Sequence, residues 1–483
     1  MNPSSALQLL LSIFLLSLVA MGHQKVEEGK PLNVLFIVAD DMNEYGFFHT
    51  HPQLQTPYLD AFRERSISFR QAYCPAPACS PSRTSFLSGV SPHRSGKYYN
   101  GSAVWETPLM QAQESMMEWF QRAGYNTYGK GKLFHSQIPK ERVAKNFQGS
   151  RGKGGFGPFP DEAHRNFGSK GKFRGVQAFP DETFPDVQNA QHIAQLLQEA
   201  HDEPFFIMYG LWRPHSPYTC PQRFLDLYDP AEIVLPRGYL KNDLEDLPAM
   251  PRAYLAADDQ PEFDRIAQNE TQWRAYLRGY LACYSFADYN IGQVLAALDE
   301  SPYRDNTIVV ITSDNGFHMG EKDRFNKNAL WEQSAITPMA IRIPGTKHAG
   351  KVCNQPVNLL DLYPTFVDYC GEGLPPLQPI DGQSIRPLLD NPDRKRKTPS
   401  ITYFGKDWVS IRSERYRYIS YPDGSEELYD HSRDPWEWHN LADEPASKKV
   451  KKRHRKFIPK EMVNAVEGRW TTKIKEIVDR DSQ

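Results

Sequence analysis

Four short apolar runs, each cut off by charged or amide residues, constrain this chain more than any other feature. Asn33–Ala39 (NVLFIVA) runs into Asp40-Asp41. Tyr125–Gly129 runs into Lys130-Gly131-Lys132-Leu133-Phe134-His135. Phe205–Tyr209 (FFIMY) leads to Arg213-Pro214-His215, and Thr307–Thr312 (TIVVIT) leads to Ser313-Asp314-Asn315. Apolar strands without alternation need cover on both faces, which is the environment of a buried parallel sheet. Helical stretches separate the runs: Met116–Ala123, Val187–Glu199 and Trp273–Leu298. This alternation predicts an α/β fold. In open α/β sheets ligands bind beyond the carboxyl ends of the strands. Four polar clusters far apart in sequence are therefore expected to meet at one sheet edge.

The rest of the chain fits a large globular protein. It has 483 residues, 40% hydrophobic and 24% charged, which excludes wholesale disorder. Lys and Arg total 57 against 59 acids, so the net charge of −2 argues against a dedicated nucleic-acid binder. The 38 prolines indicate many ordered loops rather than a helical bundle, and no repeat is visible at solenoid periods. Leu7–Met21 is apolar but shorter than the roughly 20 residues of a membrane span. The small-x-small step Ala20-Met21-Gly22 follows it, although no Lys or Arg precedes it. The expectation is a signal peptide over 1–22 and an exported protein with no stable membrane insertion. A second region, 381–483, follows the main domain at 23–380. Ser400–Tyr403, Trp408–Arg412, Tyr416–Tyr421 and Glu427–Tyr429 read as short strands around the Pro422-Asp423-Gly424 turn, with a helical tail beyond. Gln148–Gly175 holds eight glycines and six Lys/Arg against two acids; it reads as a solvated loop, or as a basic lip facing an anionic substrate. Lys448–Lys456, with seven Lys/Arg in nine residues, reads first as the solvated face of a terminal helix.

Six cysteines occur: Cys74, Cys79, Cys220, Cys283, Cys353 and Cys370. Their spacing matches no zinc pattern, and a Cys353–Cys370 pair is permitted but not decided by sequence. Cys79 lies in AYCPAPACSPSRTSFLSGVSPHR. Composition alone allows a half-cystine or a buried thiol there. The pattern C-x-P-x-R (Cys79 to Arg83) followed by Ser88-Gly89 resembles the signature of type I sulfatases. GKGKLFH, RPHSPY, SDNGFHMGEK, NALWEQ, LLDLYPT and ELYDHSRDPWEWHNLA extend the resemblance over nearly the whole mature chain, toward the iduronate-2-sulfatase branch.

That resemblance implies an alkaline-phosphatase-like fold, with a large mixed sheet sandwiched by helices and a smaller C-terminal α+β subdomain with an antiparallel sheet. It implies that a formylglycine-generating enzyme oxidises Cys79 to formylglycine. One hydroxyl of the aldehyde hydrate attacks sulfur, and the other expels sulfate by regenerating the aldehyde, a covalent catalysis with a built-in leaving step. Asp40, Asp41, Asp314 and Asn315, with the modified Cys79, would hold a metal. Their hard oxygens suit Ca²⁺, with Mg²⁺ possible. The branch often has His at the Asn315 position, so this departure leaves the metal choice open. Arg83 would hold the nucleophile loop. Lys132 would contact sulfate, and His135 would take the proton from the second hydroxyl. His215 and Lys327 would bind a sulfate oxygen and protonate the leaving alcohol. His93 and His318 also match positions often His in relatives, with a structural role equally open. The implied substrate is a sulfated carbohydrate. Two other functions stay open: a phosphodiesterase or phosphonate hydrolase on the same fold, and a non-catalytic binder of sulfated glycans. Asn100-Gly101-Ser102 and Asn269-Glu270-Thr271 are sequons that matter only in a eukaryotic secretory host.

Overall fold

The computed structural model describes residues 30–468 except 136–137, 148–153, 166–172, 174, 259 and 268. The expected signal peptide, much of the Gly-rich loop and the end of the tail lie outside the described residues. Seven strands form the large sheet: β1 (Asn33–Asp40), β2 (Ile67–Phe69), β3 (Asn126–Gly131), β4 (Phe205–Pro214), β5 (Thr307–Ser313), β6 (Met339–Arg342) and β7 (Val352–Cys353). Their spatial order is β7-β2-β6-β5-β1-β4-β3. The four strands expected from sequence are the adjacent, mutually parallel β5, β1, β4 and β3. The sheet is mixed because β6 runs antiparallel to both β5 and β2.

The unbroken apolar character of β1 has a direct explanation. Leu35, Ile37 and Ala39 enter one core, and Val34, Phe36 and Val38 enter the other. The first core packs the sheet against α2 (Pro185–Gln198) and α3 (Glu270–Glu300), and the second against α1 (Cys79–Ser88) and α4 (Leu362–Cys370). Two buried faces remove any need for polar alternation.

Pairing aligns the strand ends. Ala39 lies opposite Ser313, and Gly131 opposite Gly210. Glycine is required at the second pair. Gly131 sits at φ 82°, where a Cβ would fall 1.9 Å from the Gly210 carbonyl oxygen. A Cβ on Gly210 would fall 1.8 Å from the Lys132 carbonyl oxygen. Only this side-chain-free contact lets the end of β3 lie against β4, which runs on to Pro214, and deliver Lys132 to the edge.

The C-terminal strands are β8 (Ser400–Gly405), β9 (Trp408–Arg412), β10 (Tyr416–Ser420) and β11 (Glu426–Asp430), an antiparallel meander. Its core is completed by Tyr98, Tyr99, Tyr254, Leu330 and Trp331 from the larger part of the chain. Of the expected helical tail, Lys448–Arg455 is helical and 459–468 runs without helix. No helix among the described residues is long and apolar enough to cross a membrane. Cys353 and Cys370 are free thiols, as are the other four cysteines, so the permitted Cys353–Cys370 pair is not formed.

The loop after α1 buries Lys97, which is 1% exposed. Its Nζ donates to the Ser102 carbonyl (2.6 Å) and hydroxyl (3.1 Å), with no carboxylate partner among the described residues. Burial pushes this ammonium down to about 7. An unfolded lysine titrates near ~10.4. The unfolded chain therefore holds the extra proton between these values, and the cost of Lys97 is full below pH 7 and fades as pH rises toward about 10. Urea unfolding should show Lys97→Met gaining stability relative to wild type at pH 6, with the gain shrinking by pH 9.5. A difference that does not vary with pH would contradict the assignment.

Candidate active site

The nucleophile candidate sits on a buried helix start. Cys79 is the first residue of α1, and every residue from Cys79 to Ser88 is buried. Pro81 suits a first turn, where its missing N–H has no partner to lose. Gly89 ends the helix at φ 71°, so the Ser88-Gly89 pair is a C-cap. Asn100 receives the Ser80 N–H at 2.9 Å and holds this helix start from outside.

Three carboxylates and three cations surround the thiol. Cys79 Sγ lies 3.1 Å from Asp40, 3.8 Å from Asp41 and 2.7 Å from Lys327 Nζ. Lys132 forms an ion pair with Asp40, and Lys327 one with Asp41. Lys132 is also 3.8 Å from Asp314. Arg83, wholly buried, donates from Nε to Asp314 at 2.6 Å. Its two remaining nitrogens reach the Ala39 carbonyl at 3.2 Å, the Leu133 carbonyl at 3.0 Å, and the Lys132 carbonyl. One guanidinium thus ties together the ends of β1, β3 and β5. His215 Nε2 is 3.5 Å from Asp41, while its Nδ1 donates to the Ser216 carbonyl at 2.5 Å. That bond sets the tautomer and leaves Nε2 facing the carboxylate.

The charges shift one another. Burial alone would raise Asp40 and Asp41, but Lys132 beside the first and Lys327 beside the second hold both below the usual carboxylate range. Burial would lower Lys327, but Asp41, Cys79 and Asp40 raise it well above the ordinary lysine value. Burial and the neighbouring Asp40 push the Cys79 thiol well up. Burial also lowers His215 against the pull of Asp41 and Asp40. His135 is pushed down to about 2 by burial and by Lys132, Lys327 and Arg83, so its ring is neutral.

A cation fits the oxygen-rich side. Ligand atoms of Asp40, Asp41, Cys79 and His215 lie within 4.8 Å of one another. Asn315 donates its Nδ2 to Asp41 at 2.8 Å, while its buried Oδ1 has no hydrogen-bond partner. A half-turn of that amide aims Oδ1 at the carboxylate side, an arrangement that a hard cation between the oxygens would stabilise. Glu332, His431 and Glu437 also cluster, but the Arg417 guanidinium bonds to both glutamates and fills the space a metal would take.

The structure brings all of the sequence-derived residues Asp40, Asp41, Cys79, Arg83, Lys132, His215, Asp314, Asn315 and Lys327 into one contact network, with His135 under its electrostatic influence. His93 instead stacks on Tyr403 at 5.2 Å and bonds Ser91. His318 bonds the Ser334 hydroxyl at 2.9 Å within the core. Sequence reasoning missed the aromatic wall. Phe156 packs 4.3 Å from the His215 ring, and Lys132 Nζ lies 5.3 Å from the Phe156 centroid and 5.8 Å from that of Trp212. Trp212 stands directly before the Arg213-Pro214-His215 cluster, so its position carried a usable signal. Phe156 lay in a segment that resists any pattern reading.

The family model described as "Sulfatase" matches residues 32–372. The chain belongs to the sulfatase family. A second model, for the C-terminal part of N-sulphoglucosamine sulphohydrolase, matches 320–464 of this sulfatase. It is 35% identical to a sulfatase of Formosa agariphila over 90% of this chain and 88% of the relative. It is 25% identical to the iduronate 2-sulfatase of Mus musculus, over 77% of this chain and 74% of the relative. A solved 2-O glycosaminoglycan sulfatase superposes with TM-score 0.68 at 23% identity, covering 94% of each chain. A phosphonate monoester hydrolase from Silicibacter pomeroyi superposes with TM-score 0.72 at 22% identity, covering 88% of this chain and 94% of its own. The solved structures establish the alkaline-phosphatase-like fold, and the family model with the 35% identical sulfatase establishes sulfuric ester hydrolase activity.

The Arg83–Asp314 pair has a testable weight. Arg83→Met leaves Asp314 buried and partly uncompensated, and should cost about 3–5 kcal/mol in urea unfolding. Cys79→Ala removes no bond of this clamp and should stay within about 1 kcal/mol of wild type while abolishing turnover. A Cys79→Ala enzyme with substantial activity would contradict the nucleophile assignment.

Proposed function

We propose that this sulfatase removes the sulfate ester from a sulfated saccharide, with a 2-sulfated uronic acid as the preferred substrate, through a formylglycine made from Cys79. The observation that carries the mechanism is the state of the thiol. A useful cysteine nucleophile needs a depressed pKa, yet burial and the neighbouring Asp40 push Cys79 up against the pull of Lys132 and Lys327. An unmodified thiol is badly placed for attack, whereas an aldehyde hydrate beside the same groups is not. The formylglycine hydrate supplies two geminal hydroxyls, and a bound divalent cation supplies positive charge to oxygen.

The chain's own side chains do the remaining work. Asp40, Asp41, Asp314, Asn315 and the modified Cys79 would hold the cation, which we assign as Ca²⁺ on the hardness of the donors. Lys132 and Lys327 direct positive charge and N–H groups at the sulfate oxygens, which favours the charge spread of the transition state, and His215 joins them once its Nε2 takes a proton. His215 and Lys327 stand where the leaving alcohol needs a proton. His135, neutral because burial and three cations oppose its protonation, is ready to accept one. Arg83 touches no substrate and positions the strand ends. Phe156 and Trp212 form an apolar wall suited to the face of a sugar ring.

The uronate assignment rests on the relatives. Both the iduronate 2-sulfatase of mouse and a Δ4,5-hexuronate-2-O-sulfatase of Bacteroides thetaiotaomicron, 26% identical over 92% of this chain, are named for a 2-sulfated uronic acid. Maturation implies a formylglycine-generating enzyme as partner, and the apolar run Leu7–Met21 supports export. The catalytic part would span 23–380 and the C-terminal subdomain 381–483.

The deciding measurement is the mass of the tryptic peptide Gln71–Arg83 from protein produced together with a formylglycine-generating enzyme. The aldehyde mass is expected; an unmodified thiol under those conditions would overturn the mechanism. Turnover of a uronic acid 2-sulfate should exceed that of a phosphate or phosphonate ester, and the reverse order would favour the phosphonate hydrolase chemistry. Exhaustive chelation should remove activity, with Ca²⁺ restoring it better than Mg²⁺.

A further inference from the structure

The helix Lys448–Arg455 has two unlike sides. One is anchored to the small sheet. Lys451 and Arg455 pair with Glu426 at 3.0 and 2.5 Å. The buried His454 bonds the Val450 carbonyl and the Ser413 hydroxyl, each at 2.9 Å. The other side is cationic and open. Lys449, Lys452 and Arg453 are exposed on the helix, and Lys456 is exposed directly after it. They recur at helical spacing and so share one face. None of them forms an ion pair among the described residues, and no acid lies between Lys448 and Lys456. Like charges on one helix face repel, so the face carries a strain that a bound polyanion would relieve.

A second basic segment reaches the same place. Lys395 Nζ bonds Glu414 at 2.5 Å, and Glu414 is the neighbour of the Ser413 that holds His454. Arg394, Lys395 and Lys397 are exposed, while Arg396 turns inward to Asp361 at 2.7 Å. Two basic runs about 50 residues apart in sequence thus flank one turn of the small sheet. Three acids at this turn are engaged, Glu414 by Lys395, Glu426 by Lys451 and Arg455, and Asp430 by Arg415, while the exposed Asp393, Asp443 and Glu444 flank the two runs without offsetting their charge. With a net charge of −2 for the whole chain, this is a local excess and not a general basicity.

We propose that this surface binds a sulfated polysaccharide and keeps a polymeric substrate at the enzyme. It is built on the small sheet, away from the strand ends that surround Cys79. The choice of polymer rests on the proposed function, and the charge pattern supports a polysaccharide over a nucleic acid. Single-stranded nucleic acids are bound by aromatic rings interleaved with cations, and the run Lys448–Lys456 contains no aromatic ring besides the buried His454.

The test uses the full-length mature enzyme and a heparin dodecasaccharide as probe. The variant Lys449→Gln/Lys452→Gln/Arg453→Gln/Lys456→Gln should bind it at least about tenfold more weakly, with a flatter salt dependence. Lys395→Gln/Lys397→Gln should lose part of the affinity, which guards against a folding artefact in the larger variant. Turnover of a small uronic acid 2-sulfate should match wild type in both. Undiminished heparin binding would overturn the proposal, as would a DNA oligonucleotide of equal charge binding wild type as tightly as heparin. If no preparation hydrolyses the small ester while only the variants lose heparin, the catalytic reading fails and the binding surface stands.

Discussion

The buried guanidinium of Arg83 is the contact on which the rest of the site depends. It bonds Asp314 at 2.6 Å and also reaches the backbone carbonyls that close β1 and follow β3. Lysine, a point charge, could not serve these four separate acceptors from one rigid plane. Because Arg83 lies one helical turn after Cys79, the same helix that presents the thiol also locks the strand ends around it. Cys79 and the aspartates at the strand ends therefore share one frame.

The frame confines charges that would otherwise be unstable in a protein interior. Asp40, Asp41 and Asp314 are fully buried, and each has a cation at hand. Removing any partner strands a charge at low dielectric, which is more costly than the pair is stabilising. The arrangement is better explained by chemistry than by stability. It interleaves carboxylates and cations around Cys79, Lys132 on Asp40 and Lys327 on both Asp41 and the thiol. The aromatic wall of Phe156 and Trp212 borders Lys132, where it can exclude water and take the apolar face of a leaving group.

Much of this was legible before any coordinates. The four runs became the four adjacent parallel strands because β1, β4 and β5, buried on both faces over most of their length, leave an apolar signature, while β3 at the sheet edge is only partly buried. The C-terminal hairpins were legible from Pro422-Asp423-Gly424 and from strand-length alternation. The strands β2, β6 and β7 were not, since pieces of two to four residues carry no period. The antiparallel placement of β6 follows from partners on either side, which no local pattern encodes. His215 was expected among the sulfate-binding groups, yet its imidazole also stands within ligand distance of Asp41, a proximity set by the turn after β4.

The strand-end clusters pointed to a site, and the resemblance carried by the C-x-P-x-R pattern and its companion motifs named the thiol, the acids and the bases within it; composition alone did not separate Cys79 from a buried thiol. Tertiary structure alone decided how these groups are charged and which of them touch. Desolvation and the separations between Lys132, Lys327 and the aspartates exist only once β1, β3 and β5 lie side by side. The same holds for the basic surface, where Lys395 and His454 meet around Ser413 and Glu414. Such contacts depend on distances through space, and the linear order of a chain does not contain them.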